Sequence, residues 1–191
     1  MTINELTLRD PNGQLALKTT ATVVFAELDF AVDGEWQALA WPLTGTPQVE
    51  SPTGKFNAKG TPKDYQLQLQ ADLNSTEAGP LKAALEAAGT DQRVKLNKLS
   101  LQSVAGQLAL DVQGEFGITD QQFTADGEWK SLSWPLVGAP QVQSPRGTFK
   151  ANGSLDDYRF ELDTRVEGKD VPQSDWTLQG RVRRKPYRPW P

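Results

Sequence analysis

One pattern is written twice along these 191 residues, and that limits the possible folds more than anything else in the chain. The run Asp-Gly-Glu-Trp-Gln-Ala-Leu-Ala-Trp-Pro-Leu from Asp33 returns from Asp126 as Asp-Gly-Glu-Trp-Lys-Ser-Leu-Ser-Trp-Pro-Leu. The likeness continues through Pro47-Gln48-Val49, Ser51-Pro52, Gly54, Phe56, Gly60 and Asp64-Tyr65, which Pro140-Gln141-Val142, Ser144-Pro145, Gly147, Phe149, Gly153 and Asp157-Tyr158 match. Trp41 recurs as Trp134 and Tyr65 as Tyr158, each 93 residues later. The same offset carries Ile3, Leu6 and Leu8 onto Leu96, Leu99 and Leu101, and Gly13 onto Gly106. A tandem duplication predicts two copies of one supersecondary unit, residues 1–93 and 94–191, joined in one continuous sheet.

Period-two alternation says what each unit is made of. Tyr65, Leu67, Leu69, Ala71 and Leu73 fall on one parity against Gln66, Gln68, Gln70 and Asp72. Their counterparts Tyr158, Phe160, Leu162, Thr164 and Val166 stand against Arg159, Glu161, Asp163 and Arg165. This is the signature of a strand with one apolar and one wet face, and a slip of one residue would exchange the faces. Leu108, Leu110 and Val112 alternate in the same way with Ala109, Asp111 and Gln113. Thr22 to Phe30 reads as one further strand, apolar on both parities. Gly13 and Gly106 mark turns, and Asp10-Pro-Asn-Gly13 fits a hairpin better than a calcium loop, lacking alternating carboxylates and a terminal Glu. Pro42 and Pro135 must end a strand, bulge it or lie at an edge. Gly45-Thr-Pro47 and Gly138-Ala-Pro140 predict a turn, and Ser51-Pro52 and Ser144-Pro145 a second one. Ala78 to Ala88 fits a short helix capped by Gly79-Pro80 and Gly89 as well as it fits a strand; all else is β.

Composition narrows function by exclusion. With no His and no Cys, His-assisted triads, zinc sites and disulfides are ruled out. Asp33 with Glu35, repeated as Asp126 with Glu128, is the best carboxylate pair, yet residues two apart on a strand share a face mainly to be solvated, and no phosphate-loop motif occurs. The chain is read as no enzyme, with no cofactor and no metal. A net charge of −4 argues against a nucleic-acid surface. The one basic cluster, from Arg181 to Arg188, is a solvated tail or a contact for acidic headgroups or an acidic partner. The start has neither the basic nor the continuous apolar region of a signal peptide, and no run of about 18 apolar residues predicts a membrane span. An apolar fraction of 37% fits a thin core, as in an extended sheet with one wet face. Trp36 with Trp41, and Trp129 with Trp134, either form an aromatic platform for a sugar or lipid or pack the unit boundary and fix the bend beside Pro42 and Pro135; packing is preferred.

Taken together, Trp-Pro-Leu, then Gly-x-Pro-Gln-Val-x-Ser-Pro-x-Gly-x-Phe-x-Ala-x-Gly, then Asp-Tyr with an alternating strand, and Val171 to Gly180, resemble the repeats of the TamB family within the wider AsmA-like group. The resemblance covers nearly the whole chain. It implies an elongated, twisted and curled sheet, shaped like a taco shell, with a continuous apolar groove inside. It also implies a periplasmic setting, a parent protein anchored in the inner membrane, the outer-membrane barrel partner TamA, and a part in carrying phospholipid outward and inserting outer-membrane proteins. Against that family the chain is short, and the membrane anchor and the TamA-binding region are expected to lie outside it. On this reading Leu67, Leu69, Leu73, Leu108, Leu110, Val112, Phe160, Leu162 and Val166 line the groove and meet phospholipid acyl chains. The competing reading is a structural or adhesive β-repeat module with a closed core, binding protein or carbohydrate. An open sheet would also expose unpaired strand edges, which favour association.

Overall fold

The computed structural model describes every residue except 12, 14, 25, 27, 43–45 and 184–191. Twelve strands follow one another: β1 Thr2–Arg9, β2 Leu15–Val24, β3 Asp29–Trp41, β4 Val49–Thr61, β5 Asp64–Ser75, β6 Gly79–Gly89, β7 Arg93–Ser103, β8 Leu108–Gly117, β9 Gln122–Trp134, β10 Val142–Ser154, β11 Asp157–Gly168 and β12 Ser174–Arg183. Their order in space is their order in sequence, every neighbouring pair is antiparallel, and β1 and β12 do not meet. The described chain is therefore one all-β meander, open along both edges, without a helix.

A single sheet cannot hide much surface. A compact monomer of 21.0 kDa exposes about 9,000 Å², whereas this chain exposes 13399 Å². Among the described residues no side chain is less than 2% exposed, and the buried apolar residues are Trp36, Ala40, Ala71, Ala87 and Trp129. The closed-core module is corrected here: the sheet does not close on itself. The stabilising interactions are instead cross-strand pairs repeated strand after strand.

Three local readings are settled differently from their expectation, or settled where they stood open. Of residues 78–88, all but Ala78, which lies in the preceding turn, are strand: β6 pairs along its length with β5 and β7, so its tertiary neighbours override the helix-forming alanines. Thr22 to Phe30 is not one strand, because β2 ends at Val24 and β3 begins at Asp29 with Leu28 at φ 54° between them, so Val23 and Val24 belong to one strand and Phe30 to the next. Ser51-Pro52 and Ser144-Pro145 make no turn; they lie inside β4 and β10, where the register against β5 and β11 shifts by one residue. A bulge leaves a residue out of the ladder, so the missing proline N–H costs no pairing there. The basic cluster from Arg181 lies for the most part outside the described residues; of its cations Arg181 and Arg183 are described, and both pair with Asp157.

Candidate functional site

The register decides which side chains share a face. Starting on β1 and stepping once per strand, the paired residues are Leu6, Thr19, Gly34, Phe56, Leu69, Leu85, Leu99, Val112, Gly127, Phe149, Leu162 and Leu178. A parallel row runs from Leu8 through Trp36, Ala71, Leu101, Leu110 and Trp129 to Trp176, and another from Ile3 through Val32, Leu67, Leu96, Ala125 and Phe160 to Gly180. Every position in the three rows is apolar or glycine except Thr19 and Thr164. The rows cross from β6 to β7, where the first repeat meets the second, without a polar residue. With strands about 4.8 Å apart, eleven steps make a strip roughly 53 Å long, and two steps of about 6.6 Å along the strands make it roughly 13 Å wide between outer rows.

All nine candidate lining residues lie on this face, and all are half-buried. Leu67, Leu69, Leu110, Val112, Phe160 and Leu162 sit in the three rows. Leu73, Leu108 and Val166 sit one step further towards the rim, where the strip breaks up: Leu81, the partner of Leu73, pairs onward with Ser103, and Val166 pairs with Ser174.

Glycines in the strip are covered by aromatic rings from the paired strand. Gly34 is paired with Phe56 and Trp36 with Gly54, so each strand offers a glycine where the other offers a ring. The second repeat makes the same exchange, Gly127 with Phe149 and Trp129 with Gly147. A methyl group on any of these four glycines would lie well inside 3.0 Å of the facing ring. The indole N–H of Trp36 donates to Ser51 Oγ at 2.8 Å, and that of Trp129 to Ser144 Oγ at 2.7 Å. Ser51 passes its own proton to Asp72 O at 2.7 Å, while Ser144 Oγ lies 2.7 Å from Thr164 Oγ1. The Ser-Pro bulge thus aims a hydroxyl inward to satisfy the polar atom of a tryptophan buried in an apolar face.

The two tryptophans of each Asp-Gly-Glu-Trp to Trp-Pro run do not act together. Trp36 and Trp129 are 8% exposed within the strip, whereas Trp41 and Trp134, five residues on and so of opposite parity, are 67% and 63% exposed at the strand ends. The peptide bonds from them to Pro42 and Pro135 are cis. Glycine–aromatic exchange escaped the sequence reading, although its signal was present as Gly-x-Trp followed by Gly-x-Phe at the same spacing in both repeats.

The opposite face is polar. Asn57 donates to Asp33 Oδ1 at 2.8 Å, Lys18 pairs with Glu5 at 3.3 Å, and Lys130 pairs with Glu128 at 3.2 Å. Arg165 grips Asp175, and Arg181 grips Asp157, each through two hydrogen bonds that tie β12 to β11. These guanidinium hydrogen bonds hold the Asp175 and Asp157 carboxyls below their ordinary value. Shallow open hollows lie between side chains of this face, one of them among Glu35, Thr53, Lys55, Asp72, Lys82 and Lys98. Asp111 Oδ1 is buried there without a hydrogen-bond partner. Among the described residues no group of three or more carboxylates is placed to hold a metal, and no helix is long and apolar enough to cross a membrane.

A family model described as the TamB N-terminal domain matches residues 5–118 and again 109–185. The chain belongs to the TamB family. No solved structure matches it. For a TamB-family chain the matched stretches cover every strand from β2 to β12 and so take in the glycine–aromatic exchanges of both repeats and the junction between them.

Proposed function

We propose that the apolar strip is the working surface of this TamB-family chain and that it carries phospholipid acyl chains along the sheet. The observation that supports this reading is the passage of three rows, apolar or glycine but for Thr19 and Thr164, across all twelve strands, including the β6–β7 junction between repeats. One acyl chain spans about half of a 30 Å hydrocarbon core, so a strip roughly 53 Å long has room for several chains laid side by side or end to end. Each methylene withdrawn from water contributes about 0.8 kcal/mol, and with Thr19 and Thr164 the rows' two polar side chains, little favours one seat over the next. Chains can therefore shift from strand to strand with little change in free energy while headgroups stay in water at the rim.

On this reading residues 1–93 and 94–191 are two repeat units of a periplasm-spanning conduit whose parent is anchored in the inner membrane. The conduit delivers phospholipid towards the outer membrane and supports outer-membrane protein assembly, with TamA as its barrel partner through regions outside this chain. The units make one path because β6 and β7 are hydrogen-bonded neighbours. Native mass spectrometry and solvent extraction of the purified chain test the proposal. Copurified phospholipid is expected; a chain that is lipid-free and takes up none from phospholipid micelles would overturn it.

A further inference from the structure

Along one stretch of one rim the strip runs off the sheet without meeting a charge, and we infer that phospholipid acyl chains enter and leave the strip sideways over it. The inference rests on the proposed lipid reading and adds the place of exchange. The stretch is made of two neighbouring hairpins, residues 103–108 between β7 and β8 and residues 134–142 between β9 and β10, both closed inside the chain. Neither contains a charged residue. In the first repeat the offset of 93 puts Asp10 where Ser103 stands and Glu50 where Gln143 stands. The opposite rim has an aspartate in or beside every hairpin: Asp29, Asp64, Asp91, Asp120 and Asp156.

Packing ties the stretch to the strip. Leu108 pairs with Leu132 one step beyond Leu110 and Trp129, so two leucines carry the apolar surface to the rim. The serines on either side have their oxygens engaged within the sheet: Ser103 Oγ accepts from the Gln107 N–H at 2.8 Å and Ser144 Oγ from the Trp129 indole at 2.7 Å. Beyond the leucines Val104, Trp134 and Val137 are 67%, 63% and 50% exposed. The 134–142 loop leans across the ends of β8 and β7. Gln107 Nε2 donates to Gly138 O at 3.0 Å, and a methyl group on Gly79, at the start of β6, would touch Val137 at 3.5 Å. The exposed apolar side chains are thereby gathered where the two repeats meet. Such a grouping marks a binding surface, and its continuity with the strip names the occupant. An acyl chain crossing here stays against apolar atoms, whereas crossing at an aspartate would take water from a carboxylate, a far larger cost than that of any neutral group.

Transfer of a phospholipid with a fluorescent acyl chain from phosphatidylcholine vesicles to the purified chain tests the assignment by separating rate from amount. Val104→Asp with Val137→Asp puts two carboxylates on the stretch at exposed positions. Ile118→Asp with Leu155→Asp, 47% and 56% exposed, puts the same added charge on the opposite rim, so any general repulsion is matched. Far-ultraviolet circular dichroism checks that each protein keeps its sheet. The first pair is expected to slow transfer by about tenfold or more and to leave the amount bound at saturation unchanged, because the strip is intact. The second pair is expected to keep the wild-type rate. Val104→Thr with Val137→Thr, of the same shape and neutral, is expected to slow transfer less than the aspartates do. Equal slowing by both aspartate pairs, or a wild-type rate in the first, overturns the exchange site and leaves the lipid reading standing. A first pair that lowers the amount bound and not the rate makes the valines part of the carrying surface and also overturns it. A wild-type chain that acquires no lipid overturns the reading beneath, and the exchange site falls with it.

Discussion

Replacing Gly147 by alanine reverses an ordinary expectation and so tests the glycine–aromatic exchange by sign. In the interior of a strand alanine is normally better than glycine by roughly 0.5–1 kcal/mol, because glycine loses more backbone freedom on folding. Here the new methyl group would enter the Trp129 indole, its nearest three atoms all inside 3.0 Å. The ring cannot swing away without giving up its 2.7 Å hydrogen bond to Ser144 Oγ. Overpacking of this kind costs about 1–3 kcal/mol, and with approaches of 2.0, 2.4 and 2.6 Å it falls in the upper half, about 2–3 kcal/mol, so after a backbone gain of about 1 kcal/mol the net effect is a loss of about 1–2 kcal/mol. For a chain of this size that is a fall in Tm of roughly 2–8 °C. Thermal and urea denaturation followed by circular dichroism measure it, and Gly54→Ala against Trp36 repeats the experiment in the first unit. Trp129→Val removes the obstacle, so the double variant is expected to cost less than the two single changes together, with a coupling of about 0.5–3 kcal/mol. A neutral or stabilising Gly147→Ala, or strict additivity with Trp129→Val, would refute the reasoning.

Two further outcomes follow from the same geometry. Trp129→Ala is expected to cost about 3 kcal/mol, near the low end for a buried aromatic because only one face of the sheet is packed, while Trp134→Ala, 63% exposed, shifts the melting curve within about 0.5 kcal/mol; equal losses would contradict the division between them. Asp157 has its carboxyl held below the ordinary 3.8 by its hydrogen bond from Arg181. A depressed carboxyl contributes stability that is present above the unfolded value and is lost as pH falls through the folded one. Amide exchange in β12 should therefore accelerate as pH drops below about 3.8, once corrected for intrinsic exchange, and Asp157→Asn should remove that acid response; an unchanged response in the variant would assign it to other groups.

How far the chain could be read without coordinates depended on how regularly its polarity alternates. The facing of β5 and β11 was legible because glutamine or charged residues alternate with leucine and aromatics, and the repeat offset carried that reading from one unit to the other. β6 was ambiguous because Ala83, Ala84, Ala87 and Ala88 fill both parities with the best helix former, and only its neighbours in the sheet decide for strand. The turn before β3 was invisible because its left-handed residue is Leu28, where a glycine or asparagine would have announced it. Ser51-Pro52 read as a turn because proline usually ends a strand, and local sequence does not distinguish an end from a bulge. The continuity of the strip was out of reach for a different reason: it depends on register at eleven junctions, five of them inside each repeat and one between repeats, and a slip of one residue at any of them exchanges the faces, as at β5–β6, where it would put Gln68 or Glu86 in line with leucines.

Photo-crosslinking of an acyl-chain probe to the chain tests the central claim most directly, comparing the wild type with Leu69→Arg and Leu162→Arg together and with Gln68→Arg and Glu161→Arg together. The first pair places a charge in the central row of each repeat; the second adds the same charges one residue away, on the polar face. Loss of crosslinking in the first pair and its retention in the second is the expected result. Crosslinking that survives Leu69→Arg with Leu162→Arg undiminished would mean that the lipid does not travel on the strip.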